Sequence, residues 1–183
     1  LLFFLAPNIE VRPETISALA ERLENETSAV AVCPLLIDKA GNPVAQAWPL
    51  PNKAFFVKAA FQPLAKSLLD VSGATVDVAY PGSDALMVRR HFVAGMNYFD
   101  ERLGHYWADA DLALQIRRAG RKIRICTGIR ALWHPPASTE PNDIDHQADR
   151  IVGAGVLLSK YFGFFAGTGF RWGATIKALA GFQ

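Results

Sequence analysis

Cysteine, long apolar runs and net charge are all scarce in this chain, and each scarcity removes a class of explanation. There are two cysteines in 183 residues, Cys33 and Cys126, both inside strand-like apolar runs ("AVAVCPLLI", "KIRICTG"). Two buried thiols in a reducing compartment are therefore expected, with a disulfide between them as the alternative. Nineteen basic and seventeen acidic side chains nearly cancel, to a net +2, so the balance gives no reason to expect nucleic acid as a partner. The opening "LLFFLAPN" has neither a basic n-region nor a small-residue cleavage site and does not read as a signal peptide. No internal repeat or low-complexity tract occurs, and the length suits one well-buried domain. From Ile151 to Gln183 the only charges are Lys160, Arg171 and Lys177. No apolar run in that tail approaches the roughly 18 residues needed to span a bilayer.

What is present alternates between strand and helix. "LLFFL" reads as a strand apolar on both faces, which belongs inside a sheet with neighbours on each side. The chain is on that ground expected to be the downstream part of a longer one, its first strand leaving an open apolar edge that invites aggregation or pairing. "RPETISALAERLENE" reads as a helix, with Pro13 in its first turn, Glu14 at the positive end of the dipole and Ile16, Leu19, Ala20 and Leu23 as the buried stripe. "AVAVCPLLI" follows as a strand, and strand–helix–strand in this order argues for a parallel or mixed sheet under helices. The stretch 46–76, rich in proline, reads as a long excursion with one or two short helices. "VDVAYPGSDALMVRRHF" returns to strand character, and Arg89 and Arg90 read as solvated charges at its end. "YWADADLALQIRRAG" is a helix stopped by Gly120. "RKIRICTG" and "IRALWHPP" are read as two further short strands. The basic, apolar tail reads either as a helix packed on the body or as one lying in a membrane interface.

Five blocks in order, "LLFFLAPNIEVRPETISALAERLE", "AVAVCPLLIDKAGNP", "SDALMVRRHFVAGMNYFDERL", "WADADLALQIRRAGRKIRI" and "RALWHPPAST", resemble the second half of a family 2 glycosyltransferase with the GT-A fold. The nearest branch is the rhamnosyl- and galactofuranosyltransferase-like one. The resemblance runs from Leu1 to Thr139 and implies an α/β, Rossmann-like mixed sheet with flanking helices, lacking its N-terminal nucleotide-binding portion. Residues 1–145 are then the C-terminal portion of the GT-A domain, and 146–183 an apolar, basic helical tail with a membrane-interfacial role in prospect. The implied activity is inverting transfer of a sugar from a nucleotide-sugar donor to a saccharide or lipid-linked acceptor in cell-surface polysaccharide synthesis. The implied location is cytoplasmic, peripheral on the inner face of the plasma membrane, with the tail as the contact. Such a reaction needs a base for the acceptor proton and a divalent cation, Mg²⁺ or Mn²⁺, against the leaving diphosphate.

Carried over residue by residue, the resemblance assigns Asp109 as the base and places Trp107 two positions before it. The aspartate of the metal motif falls on Asn8, and the glutamate before the base on Ala108, so two acidic positions are neutral here. His134, at the end of a strand and before a proline, corresponds to the histidine that completes the metal site. Asp84 stands at the acceptor side, and Asp111 one turn into the helix; both join Trp107 as candidate substrate contacts. Local chemistry supplies a plainer account of each. Pro7-Asn8 and Asp84 suit turns, and Asp109 and Asp111 suit a helix N-terminus. The neutral positions favour an alternative, a glycosyltransferase-like binding or scaffold module that has lost catalysis. The chain by itself is expected to be inactive.

Overall fold

A computed structural model of the chain describes residues 1–62, 64–103, 106–135 and 144–180, with side chains in the last stretch from Gln147 onward. It is an α/β protein with a mixed, open sheet and flanking helices. The strands are β1 (Leu2–Leu5), β2 (Ile9–Glu10), β3 (Ala29–Ile37), β4 (Thr75–Val78), β5 (Ala85–Val88) and β6 (Lys122–Trp133). The helices are α1 (Pro13–Glu24), α2 (Lys53–Phe61), α3 (Arg90–Gly95), α4 (Ala108–Arg118), α5 (Ile144–Phe162) and α6 (Phe164–Ala180). The chain divides into two compact units, the first of residues 1–50, 65–99 and 112–139, the second of 51–64, 100–111 and 140–183. The tail helices therefore group with α2 and with the segment leading into α4.

In the first unit the strand order is β1-β5-β3-β6-β2, with β4 also on β6. β3 and β6 are parallel; every other pairing is antiparallel. β3 lies in the middle, and all but its last residue are buried, which is why its sequence is continuously apolar rather than alternating. Leu19 and Leu23 of α1 pack on Val32, Met87 and Cys126 of the sheet. The buried side of α1 includes Thr15, whose hydroxyl donates to the Arg130 carbonyl at 3.3 Å. Ile16, expected in the stripe, is exposed: the face turned to the sheet is centred one residue earlier. Arg89 is no solvated charge. Its Nη2 donates to the carbonyls of Leu23 and Glu26, at 2.6 and 2.7 Å, and so closes the C-terminus of α1. Cys33 and Cys126 are both buried free thiols, and burial pushes each thiol's pKa up.

One reading of the strands is corrected. "RKIRICTG" and "IRALWHPP" are one strand, β6, and the irregularity between them is a register shift: Pro34 faces Cys126 but Leu35 faces Arg130. The chain bulges over Thr127–Ile129, where Thr127 bonds to the carbonyls of Gly73 and Ala74. β1, apolar enough for an interior strand, is at the end of the strand order and pairs with β5 alone among the described strands, leaving Leu5 exposed.

Proline is rare in central strands because it cannot donate to the ladder, and Pro34 has local help. Past Val32, where its pairing with β5 ends, β3 is met by the buried side chain of Gln46. Gln46 Nε2 donates to the Pro34 carbonyl at 3.0 Å, and Oε1 accepts from the Leu36 N–H at 2.8 Å. Gln46→Leu is therefore expected to lower unfolding free energy by about 2–4 kcal/mol, two buried backbone groups losing their partners at about 1–2 each. Urea titration checks this; an unchanged midpoint would remove Gln46 from the account.

At the other end of β6, Arg124 bridges Glu26 and Asp77, and Lys122 adds a 2.6 Å bond to Asp77. The Lys122 ammonium first, then Arg124, hold the Asp77 carboxyl below its ordinary value; the Ser28 hydroxyl first does the same for Glu26. A depressed carboxyl stabilises the fold above its unfolded-state pKa, and the gain is lost as pH falls through the folded value. Asp77→Asn should accordingly flatten the acid side of the stability profile below about pH 4 while leaving its shape near neutrality alone. Denaturant midpoints measured across that range test it.

Candidate functional site

β1, β3 and β6 run the same way, since β5 is antiparallel to both β1 and β3. Their carboxyl ends therefore share one edge of the sheet, where open α/β sheets present their ligand sites. Three of the sequence-assigned residues gather at this edge. After β1 the chain turns through Ala6–Asn8, Ile9 N–H bonding back to the Ala6 carbonyl at 3.1 Å. Ala6 N–H also donates to the Asp84 carbonyl at 2.8 Å, which brings the start of β5 to the turn. His134, leaving β6, donates its N–H to the Asn8 carbonyl at 2.9 Å, and Asn8 Nδ2 donates to the His134 carbonyl at 3.0 Å. So Asn8 does serve a turn, and the turn is clasped to His134.

The imidazole of His134 is not alone. Its Nε2 lies 3.1 Å from Glu10 Oε2, both side chains being partly exposed. An imidazole, a carboxylate and an amide together are donors that suit Mn²⁺ and, through their oxygens, Mg²⁺. Among the described residues no group of three His, Cys, Asp or Glu side chains gathers as a metal site; what the geometry brings together is one imidazole, one carboxylate and, through the backbone clasp, the Asn8 amide.

Asp84 pairs its carboxylate with Lys66. The Lys66 ammonium also sits 4.6 Å from the centre of the Trp48 ring, and Trp48 stacks on Tyr80 at 4.9 Å. Lys66 thus ties the Asp84 carboxylate to the Trp48–Tyr80 stack, its ammonium meeting the carboxylate on one side and the indole ring on the other.

The remaining assigned residues belong to the second unit, around the start of α4. The first helical bond runs from Asp111 N–H to the Trp107 carbonyl, at 2.9 Å. Trp107 is buried, its indole N–H given to the Arg150 carbonyl at 2.8 Å and its ring edge-on to Phe56. Gly153 of α5 lies against it so closely that a Cβ there would come within 2.6 Å of the indole. Trp107 thus wedges the start of α4 against α5. Asp109 is half-buried, and its Oδ1 accepts from the Ala110 N–H at 2.8 Å. Asp111 is 1 % exposed; its Oδ1 accepts from Lys160 Nζ at 2.8 Å and from Tyr161 O–H at 2.5 Å, and its Oδ2 from Lys160 Nζ at 2.9 Å. The two acids of one motif have parted company: Asp111 is enclosed by protein donors, while Asp109 keeps an accessible side.

Glu10, Lys66, Lys160 and Tyr161 carry much of this geometry and were not singled out from the sequence. For Lys160 a signal existed, a lone cation beside a tyrosine in an otherwise apolar stretch ("LLSKYF"), which asks for a buried acid elsewhere. For Glu10 and Lys66 nothing local marks them. No known family model matches the chain, and neither does any curated protein.

Removing Lys160 would take away the cation that answers the buried Asp111 carboxylate. Lys160→Met should cost about 2–3 kcal/mol, less than the loss of a fully buried pair because the lysine is partly exposed. Adding Asp111→Asn to it should restore part of that stability; a double-mutant cycle by chemical denaturation that shows simple additivity would deny the coupling.

Proposed function

We propose that the chain carries the acceptor and metal side of an inverting glycosyltransferase of family 2, with the GT-A fold, transferring sugar from a nucleotide-sugar donor to a saccharide or lipid-linked acceptor. The observation that supports this reading best is the clasp between Asn8 and His134. Residues 126 apart in sequence, each assigned to the metal by resemblance alone, bond to one another at the carboxyl edge of the sheet. Glu10 supplies beside them the carboxylate that Asn8 lacks.

In the proposed reaction the acceptor hydroxyl oxygen attacks the anomeric carbon from the face opposite the diphosphate. The new C–O bond forms as the bond to the diphosphate oxygen breaks, and configuration inverts. Asp109 takes the hydroxyl proton; it is the half-buried acid of its motif, whereas Asp111 is enclosed. Asp84, held by Lys66, orients sugar hydroxyls. Asp111 and Trp107 act as positioning residues, holding the first turn of α4 through Lys160, Tyr161 and Arg150. A divalent cation, held by His134, Glu10 and the Asn8 amide oxygen, would neutralise charge on the departing diphosphate.

A second reading is favoured by Asn8 and Ala108, neutral where the resemblance has acids: a binding module of the same fold without catalysis. Asp109→Asn separates the two. In the full-length protein the first reading expects transfer to fall by about 10²–10⁴-fold, with donor affinity, followed by calorimetry in the presence of Mn²⁺, unchanged. Full transfer in that variant would end the assignment of the base. Donor binding indifferent to Mn²⁺, with no transfer by the parent protein, would favour the binding module.

A further inference from the structure

α6 is apolar on two opposite faces, and one of them is exposed among the described residues. Its inner side is sealed against α5: Gly167 is buried, and a Cβ there would lie 1.8 Å from Ser159 Oγ and 2.7 Å from the Gly155 carbonyl. Only a residue without a side chain permits that approach. The outward side carries Phe165, Trp172, Ile176 and Leu179, exposed by 87, 67, 63 and 68 %. At 3.6 residues per turn these four fall within about 40° of one line and extend for about 21 Å along the helix. A stripe of that size left in water marks an interaction surface rather than scattered surface apolarity.

The surroundings indicate what covers it. α2 and α6 together contain Lys53, Lys58, Arg171 and Lys177 and not one Asp or Glu. Between them runs a groove of about 350 Å³, walled by Val57, Phe61, Phe165 and Phe170, with Lys53 and Lys177 among its lining residues. Gly169 and Gly173 keep it open, having no atom nearby that a side chain would meet. The Lys177 ammonium lies 4.1 Å from the centre of the Phe61 ring, so the cation sits on the aromatic wall. Apolar bodies beside ammonium groups are the complement of a lipid interface with anionic head groups. A second copy of the same face is a poor complement, because it would set lysine against lysine with no acid to answer.

We infer that the α2–α6 face docks on an anionic bilayer surface, the stripe entering the head-group and acyl boundary and the groove receiving an anionic head group between Lys53 and Lys177. No described helix is long and apolar enough to cross a membrane, so the contact is one of lying on the surface. It needs nothing from the sugar-transfer reading.

The test is flotation of the whole chain with phosphatidylcholine vesicles, with and without phosphatidylserine, at low and high salt. Binding is expected with phosphatidylserine and to weaken with salt. Trp172→Ser with Ile176→Ser, both at exposed sites and so harmless to folding, should weaken it at least tenfold. Lys53→Gln with Lys177→Gln should weaken it about fivefold per charge on the anionic vesicles alone. Failure to float with anionic vesicles, or flotation unaffected by the stripe variant, would overturn the inference. So would a concentration-dependent dimer, seen in sedimentation, that the stripe variant abolishes while flotation stays absent. None of these readouts involves transfer, so a failure here leaves Asp109 as it stood.

Discussion

The first unit depends on satisfying β3 on every side at once. A strand buried on both faces and paired along both edges has no water to fall back on, so each N–H and carbonyl needs a protein partner. β6 supplies one edge in parallel register and β5 part of the other. Where β5 stops, the Gln46 amide takes over for the Pro34 carbonyl and the Leu36 N–H. That substitution lets a proline stand in the middle of a sheet. It also lets β3 run on to the edge where β1 turns at Asn8 and β6 ends at His134. The candidate metal donors are consequently placed by the backbone ladder rather than by their own side-chain preferences, and the reciprocal Asn8–His134 bonds lock what the ladder has aligned.

In the second unit the comparable device is the enclosed Asp111. A carboxylate held by an ammonium and a phenol joins the start of α4 to the end of α5, and Trp107, seated on Gly153, does the same from the other end of that turn. Asp109 stands between these two anchors. In the proposed role of base Asp109 would gain from such bracing, because proton transfer requires heavy atoms at hydrogen-bond distance and a helix terminus that frays would not keep them there.

Much of this was legible in the sequence. The unbroken apolar run at 29–37, Pro13 opening a helix and Gly120 closing one are local statements, and each appears where its chemistry required. Gly120 has a positive φ, and the bonds that follow α4 run back from Gly120 to Arg117 and from Arg121 to Ile116. The gathering of Asn8, Asp84 and His134 at one edge follows from the strand order β1-β5-β3-β6-β2, which the alternation of elements does not give. Nor were the partners legible. Glu10 for His134, Lys66 for Asp84 and Lys160 with Tyr161 for Asp111 lie from 18 to 124 residues away, and no periodicity carries that information. Arg89 misled for the same reason: an arginine after a strand looks solvated until the end of α1 is brought to it.

The sequence by itself determined most of the strand and helix segments, where α1 starts and α4 stops, and that the chain from Ile151 onward is apolar, basic and without acids. Tertiary structure alone decided that two strand-like segments join as β6, that Gln46 completes β3, that one acid of the α4 motif is enclosed and the other accessible, and which face of α6 is left uncovered. The division has a physical basis. Backbone propensity and hydrophobic period are set by near neighbours in the chain, whereas the fate of a polar group is set by whichever donor or acceptor the fold carries to within about 3 Å of it.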